Sequence, residues 1–88
     1  MDNLQLSSIV EGVEAVVLRG GVRLFRVVVI ADMLRENFGA DGTPSSWLAA
    51  FAQHDRVIEH AAQLRYAEQP KPVVVLYHPR HFQARFDA

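Results

Sequence analysis

Residues 13–30 read VEAVVLRGGVRLFRVVVI, and the way this stretch folds decides the architecture. Two runs rich in β-branched residues flank Arg19-Gly20-Gly21, a pattern that predicts a β-hairpin. Two registers compete. A two-residue Gly20-Gly21 turn sets Glu14 opposite Val27. A three-residue loop sets Glu14 opposite Arg26 and leaves Gly21 free to take a positive φ. The second is preferred, because opposite charges across a strand pair contribute about 0.2–1 kcal/mol. It places Val13, Ala15, Val17, Phe25, Val27 and Val29 on one face, with Arg23 at its rim. Glu14, Val16, Leu18, Val22, Leu24, Arg26 and Val28 take the other. The first face is the expected core, yet the second is still mostly apolar.

Working outward, residues 4–10 form a weak first strand with poor alternation. Downstream, DMLRENF at residues 32–38 predicts a short helix. Leu34 and Phe38 lie four apart, and Gly39 is placed as a left-handed stop. Thr43 is placed to cap the next helix, and Pro44 suits its first turn. From Ser45 to about Glu68, residues set at 100° intervals describe one long helix. Its apolar stripe centres on Trp47, Phe51, His54, Ile58, Ala61, Ala62 and Arg65. Leu48, Ala50, Val57, Leu64 and Tyr66 flank it. Pro70 and Pro72 end it, and residues 73–77 form a last strand. Strands grouped ahead of helices predict an α+β fold in the order β-β-β-α-α-β. The expected sheet is mostly antiparallel, three- to four-stranded, with a short and a long helix on one face.

The 88 residues suit one domain with a modest core, burying about 60–65% of the unfolded surface. Residues 83–88 read as a frayed C-terminal tail. An apolar content of 50% is too high for a disordered chain. Nine basic and ten acidic residues leave a net charge of −1, so no overall field steers the chain to nucleic acid or membrane. The absence of cysteine excludes disulfide and thiolate chemistry. The polar opening MDNLQLSS lacks the basic flank and apolar core of a signal peptide, which suits a cytoplasmic protein. No apolar run exceeds six residues, too few for a membrane span.

The hairpin strand, then IADMLRENFGAD, WLAAFAQHDRVIEHAAQLRY and VVVLYHPRHF, resembles a family of short bacterial proteins known as domain of unknown function fourteen-eighty-eight. Leu34, Phe38, Gly39, Ala40, Leu48, Ala49, Ala50, Phe51, His54, Asp55, Ile58 and Phe82 carry the likeness, across about residues 13–82. The resemblance implies a strand, a short helix with a Phe-Gly-Ala-like stop, a long helix and a final strand. It implies no activity and no binding residues. The strand before the short helix departs from the family pattern: it is more apolar where members alternate polar residues, at Arg26, Val28 and Ile30.

The chemistry-bearing motifs are few. No glycine-rich phosphate loop, HExxH or GxSxG occurs. Asp55 and Glu59 read as a solvated pair flanking Arg56 rather than an acid–base couple. His54 reads as a core-edge histidine bonded to a backbone carbonyl. His78 and His81 have metal-pair spacing, but Pro79 lies between them and no third ligand has a claim. The reading is therefore non-enzymatic, with no metal and no cofactor. Arg80, His81, Phe82, Arg85 and Phe86 interleave basic and aromatic residues. With Arg19 and Arg23 they make a thin patch for nucleic acid or another anion, which is the alternative function. Phe82 reads rather as a core anchor. The leading expectation is a protein-interaction or accessory module, binding a protein partner or itself as a homodimer. Its candidate contacts are Arg19, Arg23, Leu24, Val28, Arg80, His81 and Arg85, supported by the apolar second face of the hairpin.

Overall fold

Gly20 and Gly21 adopt φ of 60° and 81°, the left-handed pair that a two-residue hairpin turn requires. In this computed structural model, which describes residues 1–82, they join β2 (Gly12–Arg19) to β3 (Val22–Ile30). Arg19 pairs with Val22 and Leu18 with Arg23, and a bulge then takes up Leu24. From Val17↔Phe25 onward the register is offset by one, and Glu14 lies opposite Val28. Neither expected register survives along the whole hairpin: the turn is the two-residue one, and the bulge displaces everything beyond it.

The sorting of faces nevertheless holds over most of the hairpin. The observed register differs from the preferred one by two residues, and a two-residue shift returns each side chain to its own face. Val13, Ala15, Val17, Phe25, Val27 and Val29 are all buried in the main core. The exceptions lie at the bulge. Arg23 leaves the rim of the core face and joins Leu18 on the outer one. Leu24 packs against the core instead of facing outward.

β1 (Asp2–Leu6) pairs antiparallel with the other side of β2, through Asp2↔Val16, an irregularity, then Gln5↔Glu14 and Leu6↔Val13. It ends earlier than expected because Ser7 turns the chain. Its hydroxyl accepts from the N–H groups of Ile9 and Val10 at 3.1 and 3.4 Å.

β4 (Val73–Leu76) lies beside β3, from Arg26↔Val73 to Val29↔Leu76, and runs parallel to it. The sheet order is β1-β2-β3-β4, so the sheet is mixed, and the α+β class stands. A parallel neighbour needs a crossover. Three helices supply it: α1 (Ala31–Phe38), α2 (Pro44–Gln53) and α3 (Asp55–Glu68). With ladders on both sides, β3 is central. Its Val27-Val28-Val29 run is fully buried.

The expected single long helix is broken at His54. The His54 N–H is shared between the Ala50 and Phe51 carbonyls, both at 3.2 Å. The imidazole Nδ1 lies 3.0 Å from the same Ala50 oxygen, and the ring packs 4.9 Å from that of Phe38. The break lets α2 pack over β1 and β2 while α3 packs on β4. Trp47, Ala50 and Phe51 from α2, and Ile58, Ala61 and Ala62 from α3, still meet in one core. Phe25 stacks on Tyr66 at 4.4 Å, and Phe82 meets Phe38 edge-on at 5.1 Å, so Phe82 is the anchor expected of it.

The helix ends follow their sequence signals. Gly39 is left-handed (φ 76°), and the Ala40 N–H returns to the Leu34 carbonyl at 3.1 Å. Thr43 Oγ1 accepts from the Ser46 N–H at 3.3 Å, ahead of Pro44. Asp41 accepts from both the N–H and the hydroxyl of Thr43 at 2.7 Å. Hydrogen bonds from the Thr43 and Ser46 side chains, then the Thr43 backbone, hold the Asp41 pKa down from 3.8 to about 2. The folded value is depressed, so this contribution is present above 3.8 and is lost as pH falls through about 2. A carboxyl NMR titration of Asp41 is expected to show a midpoint near 2. A midpoint at 3.8 or higher contradicts the capping geometry.

Candidate functional site

The helices occupy one face of the sheet. The other carries Glu14, the one charged residue between Gly12 and Leu18. Its side chain is 3% exposed. Oε1 accepts from Gln5 Nε2 at 3.1 Å and faces Arg26 Nη1 at 3.5 Å. Gln5 is the direct cross-strand partner on β1. Arg26 is the diagonal neighbour on β3, since its own opposite residue is Val16. Long side chains bridge such a diagonal. The ion pair expected from the sequence therefore forms, although its register differs. The second oxygen, Oε2, is buried and has no hydrogen-bond donor among the described residues.

A cavity of about 150 Å³ opens here, lined by Asn3, Gln5, Glu14, Ala15, Val16, Arg23 and Arg26. Asn3 has φ 57°, the single positive-φ non-glycine residue among those described. It sits where β1 departs from its regular pairing with β2. The Leu24 bulge puts Arg23 on the outer face, and Arg23 and Arg26 both line the cavity.

The expected contact residues are dispersed. Arg19 and Arg23 lie at the hairpin turn. β4 runs parallel to β3, so it carries Arg80 and His81 towards the opposite end of the sheet. The six steps from Arg23 to Val29 alone span about 20 Å of strand. Arg85 and Phe86, like the tail expectation for residues 83–88, lie outside the described residues. Among the described residues, Arg19 and Arg23 are thus not brought beside Arg80 and His81. Val28 has 0% exposure, so this expected contact presents no surface to a partner, and Leu24 is turned to the core.

Arg80 and His81 line one wall of a cleft of about 600 Å³ against Ala61, Leu64, Arg65, Ala67 and Glu68 of α3. In the preceding turn, His78 Nδ1 accepts from the Arg80 N–H at 3.2 Å, and His81 Nδ1 accepts from the Tyr77 N–H at 3.3 Å. Both nitrogens therefore close the backbone. Burial lowers the His81 pKa, helped by Arg65, His78 and Arg80 and opposed by Glu68. Among the described residues no group of three metal-ligating side chains occurs.

Apolar exposure concentrates elsewhere. Of the seven large exposed hydrophobic residues among those described, four are Leu4, Leu6, Ile9 and Val10, on β1 and the loop after it. β1 is an edge strand with every residue exposed. No helix is long and apolar enough to cross a membrane among the described residues. Comparison with family models, curated proteins and solved structures finds no match.

Sequence reasoning found the Glu14–Arg26 pair but missed the cavity. Its signal was a lone carboxylate inside VEAVV, which promises a buried charge in need of partners. The partner Gln5 was hidden because the poor alternation of residues 4–10 gave the first strand no pairing register against β2.

Proposed function

We propose that this chain is a small non-catalytic interaction module that forms a reversible homodimer through β1. The observation that carries this reading is the exposed apolar strip Leu4, Leu6, Ile9 and Val10 on a sheet edge. Edge strands are commonly guarded by lysine or proline. This one has neither, and the first basic residue in the chain is Arg19. The strip is also self-complementary. An antiparallel pairing of two copies centred on Gln5 sets each Leu4 opposite a Leu6, with no like charges facing. Such a pairing is isologous and closes on itself. The irregularity between Asp2 and Gln5 confines regular pairing to Leu4, Gln5 and Leu6, which keeps the dimer weak. The proposal extends to a cytoplasmic setting, in keeping with the cysteine-free composition. It also extends to membership of the bacterial family resembled at residues 13–82.

Light scattering across a concentration series is the test. The mass is expected to rise from 9.9 kDa towards twice that value. Leu4→Lys/Leu6→Lys, on exposed positions, is expected to abolish the rise without lowering the thermal midpoint. A constant monomer mass at high concentration rejects self-association.

A further inference from the structure

A carboxylate oxygen removed from water without a donor is unfavourable, so a buried orphan oxygen beside an open cavity points to a missing partner. Glu14 Oε2 is such an oxygen, and Glu14 lines the cavity beneath β1. The guanidinium groups on the same walls pose the opposite demand. Arg23 has no ion-pair partner among the described residues, and Arg26 meets Glu14 through Nη1 alone. A guanidinium offers five donors and no acceptor. The site therefore asks for a donor at one end and an acceptor at the other, within about 150 Å³. That space corresponds to about five water molecules at ~30 Å³ each.

We infer that the Glu14 cavity binds a small zwitterion, a free α-amino acid of the size of glycine or alanine. The ammonium group donates to Oε2 of Glu14. The carboxylate lies against Arg23 and Arg26, and the Asn3 and Gln5 side chains flank the molecule. A plain cation leaves the two arginines unanswered, and a plain anion faces the Glu14 carboxylate. The left-handed backbone at Asn3, which few non-glycine residues adopt, shapes the wall that Asn3 contributes.

The test is titration of the full chain with glycine, followed by ¹H–¹⁵N spectra. Saturating shifts are expected at Asn3, Gln5, Glu14, Arg23 and Arg26. Glycinamide, which lacks the carboxylate, and acetate, which lacks the ammonium, are each expected to bind about tenfold or more weakly. Glu14→Gln keeps the side-chain shape and removes the charge. Arg23→Gln alters an exposed residue and is expected to leave the thermal midpoint unchanged. Each variant is expected to weaken glycine binding about tenfold or more. The inference is overturned if glycine gives no saturable shifts, if glycinamide or acetate binds as tightly as glycine, or if both variants bind as the parent does. A cavity that holds ordered water alone gives the first of these results.

Discussion

Gly12→Ala is expected to lower stability by about 3 kcal/mol, the upper end of the cost of overpacking. A Cβ at Gly12 would lie 2.2 Å from the Val29 carbonyl oxygen and 2.9 Å from Ile30 Cα. Both are backbone atoms of the central strand, so no side chain can swing aside. The strands must part where Gly12 pairs with Ile30. Two backbone bonds near this point are put at risk: Ser7 N–H to the Gly12 carbonyl at 3.0 Å, and Ala31 N–H to the Glu11 carbonyl at 2.8 Å. The first fixes the chain after β1 and the second starts α1. Denaturant unfolding measures the loss. Gly42→Ala is the control, because a Cβ there meets nothing within 4 Å. It is expected to change stability by no more than about 0.5 kcal/mol. A loss below about 1 kcal/mol for Gly12→Ala contradicts the close approach of β2 to β3.

Phe51→Ala is expected to cost about 3–5 kcal/mol, as large-to-small changes of buried aromatics do. Phe51 is 1% exposed and lies in the core shared by the sheet and the helices. Trp47→Ala belongs in the same range. Trp47 is also buried, and its indole Nε1 donates to the Asp41 carbonyl at 2.9 Å, tying the loop before α2 to the core. A domain's whole stability is about 5–15 kcal/mol, so either variant should sit close to its unfolding transition. Chemical denaturation at low temperature keeps both measurable. A loss below 1 kcal/mol for Phe51→Ala overturns its place in the core.

The parts of this fold legible in the sequence are those fixed by local periodicity. Alternation along residues 13–30 sorted most of the hairpin faces correctly, because parity survives a two-residue error in register. The stripe through Trp47, Phe51, Ile58 and Ala62 located the helical core. Thr43, Pro44 and Gly39 marked the helix ends by their own backbone preferences.

What was hidden depends on long-range packing. The Leu24 bulge has no residue signal of its own, since leucine suits a regular strand equally well. The break at His54 leaves the apolar stripe in phase on both sides, so periodicity passes straight through it. The parallel placement of β4 follows from where three helices deliver the chain. The contact residues fared worst for the same reason. Arg23 and Arg80 were grouped by type, and strand direction then set them towards opposite ends of the sheet. Val28 looked available because its strand position faces away from the helices, yet it has no exposed surface.

The central claim is that β1 is the surface through which two copies meet. Amide hydrogen exchange measured as a function of protein concentration addresses it directly. The N–H groups of Leu4 and Leu6, which alternate with the β2-facing N–H groups of Gln5 and Ser7, are expected to gain protection as concentration rises, while amides at the β4 edge do not change. Exchange in β1 that is independent of concentration, in samples whose mass shows dimer, would contradict the account.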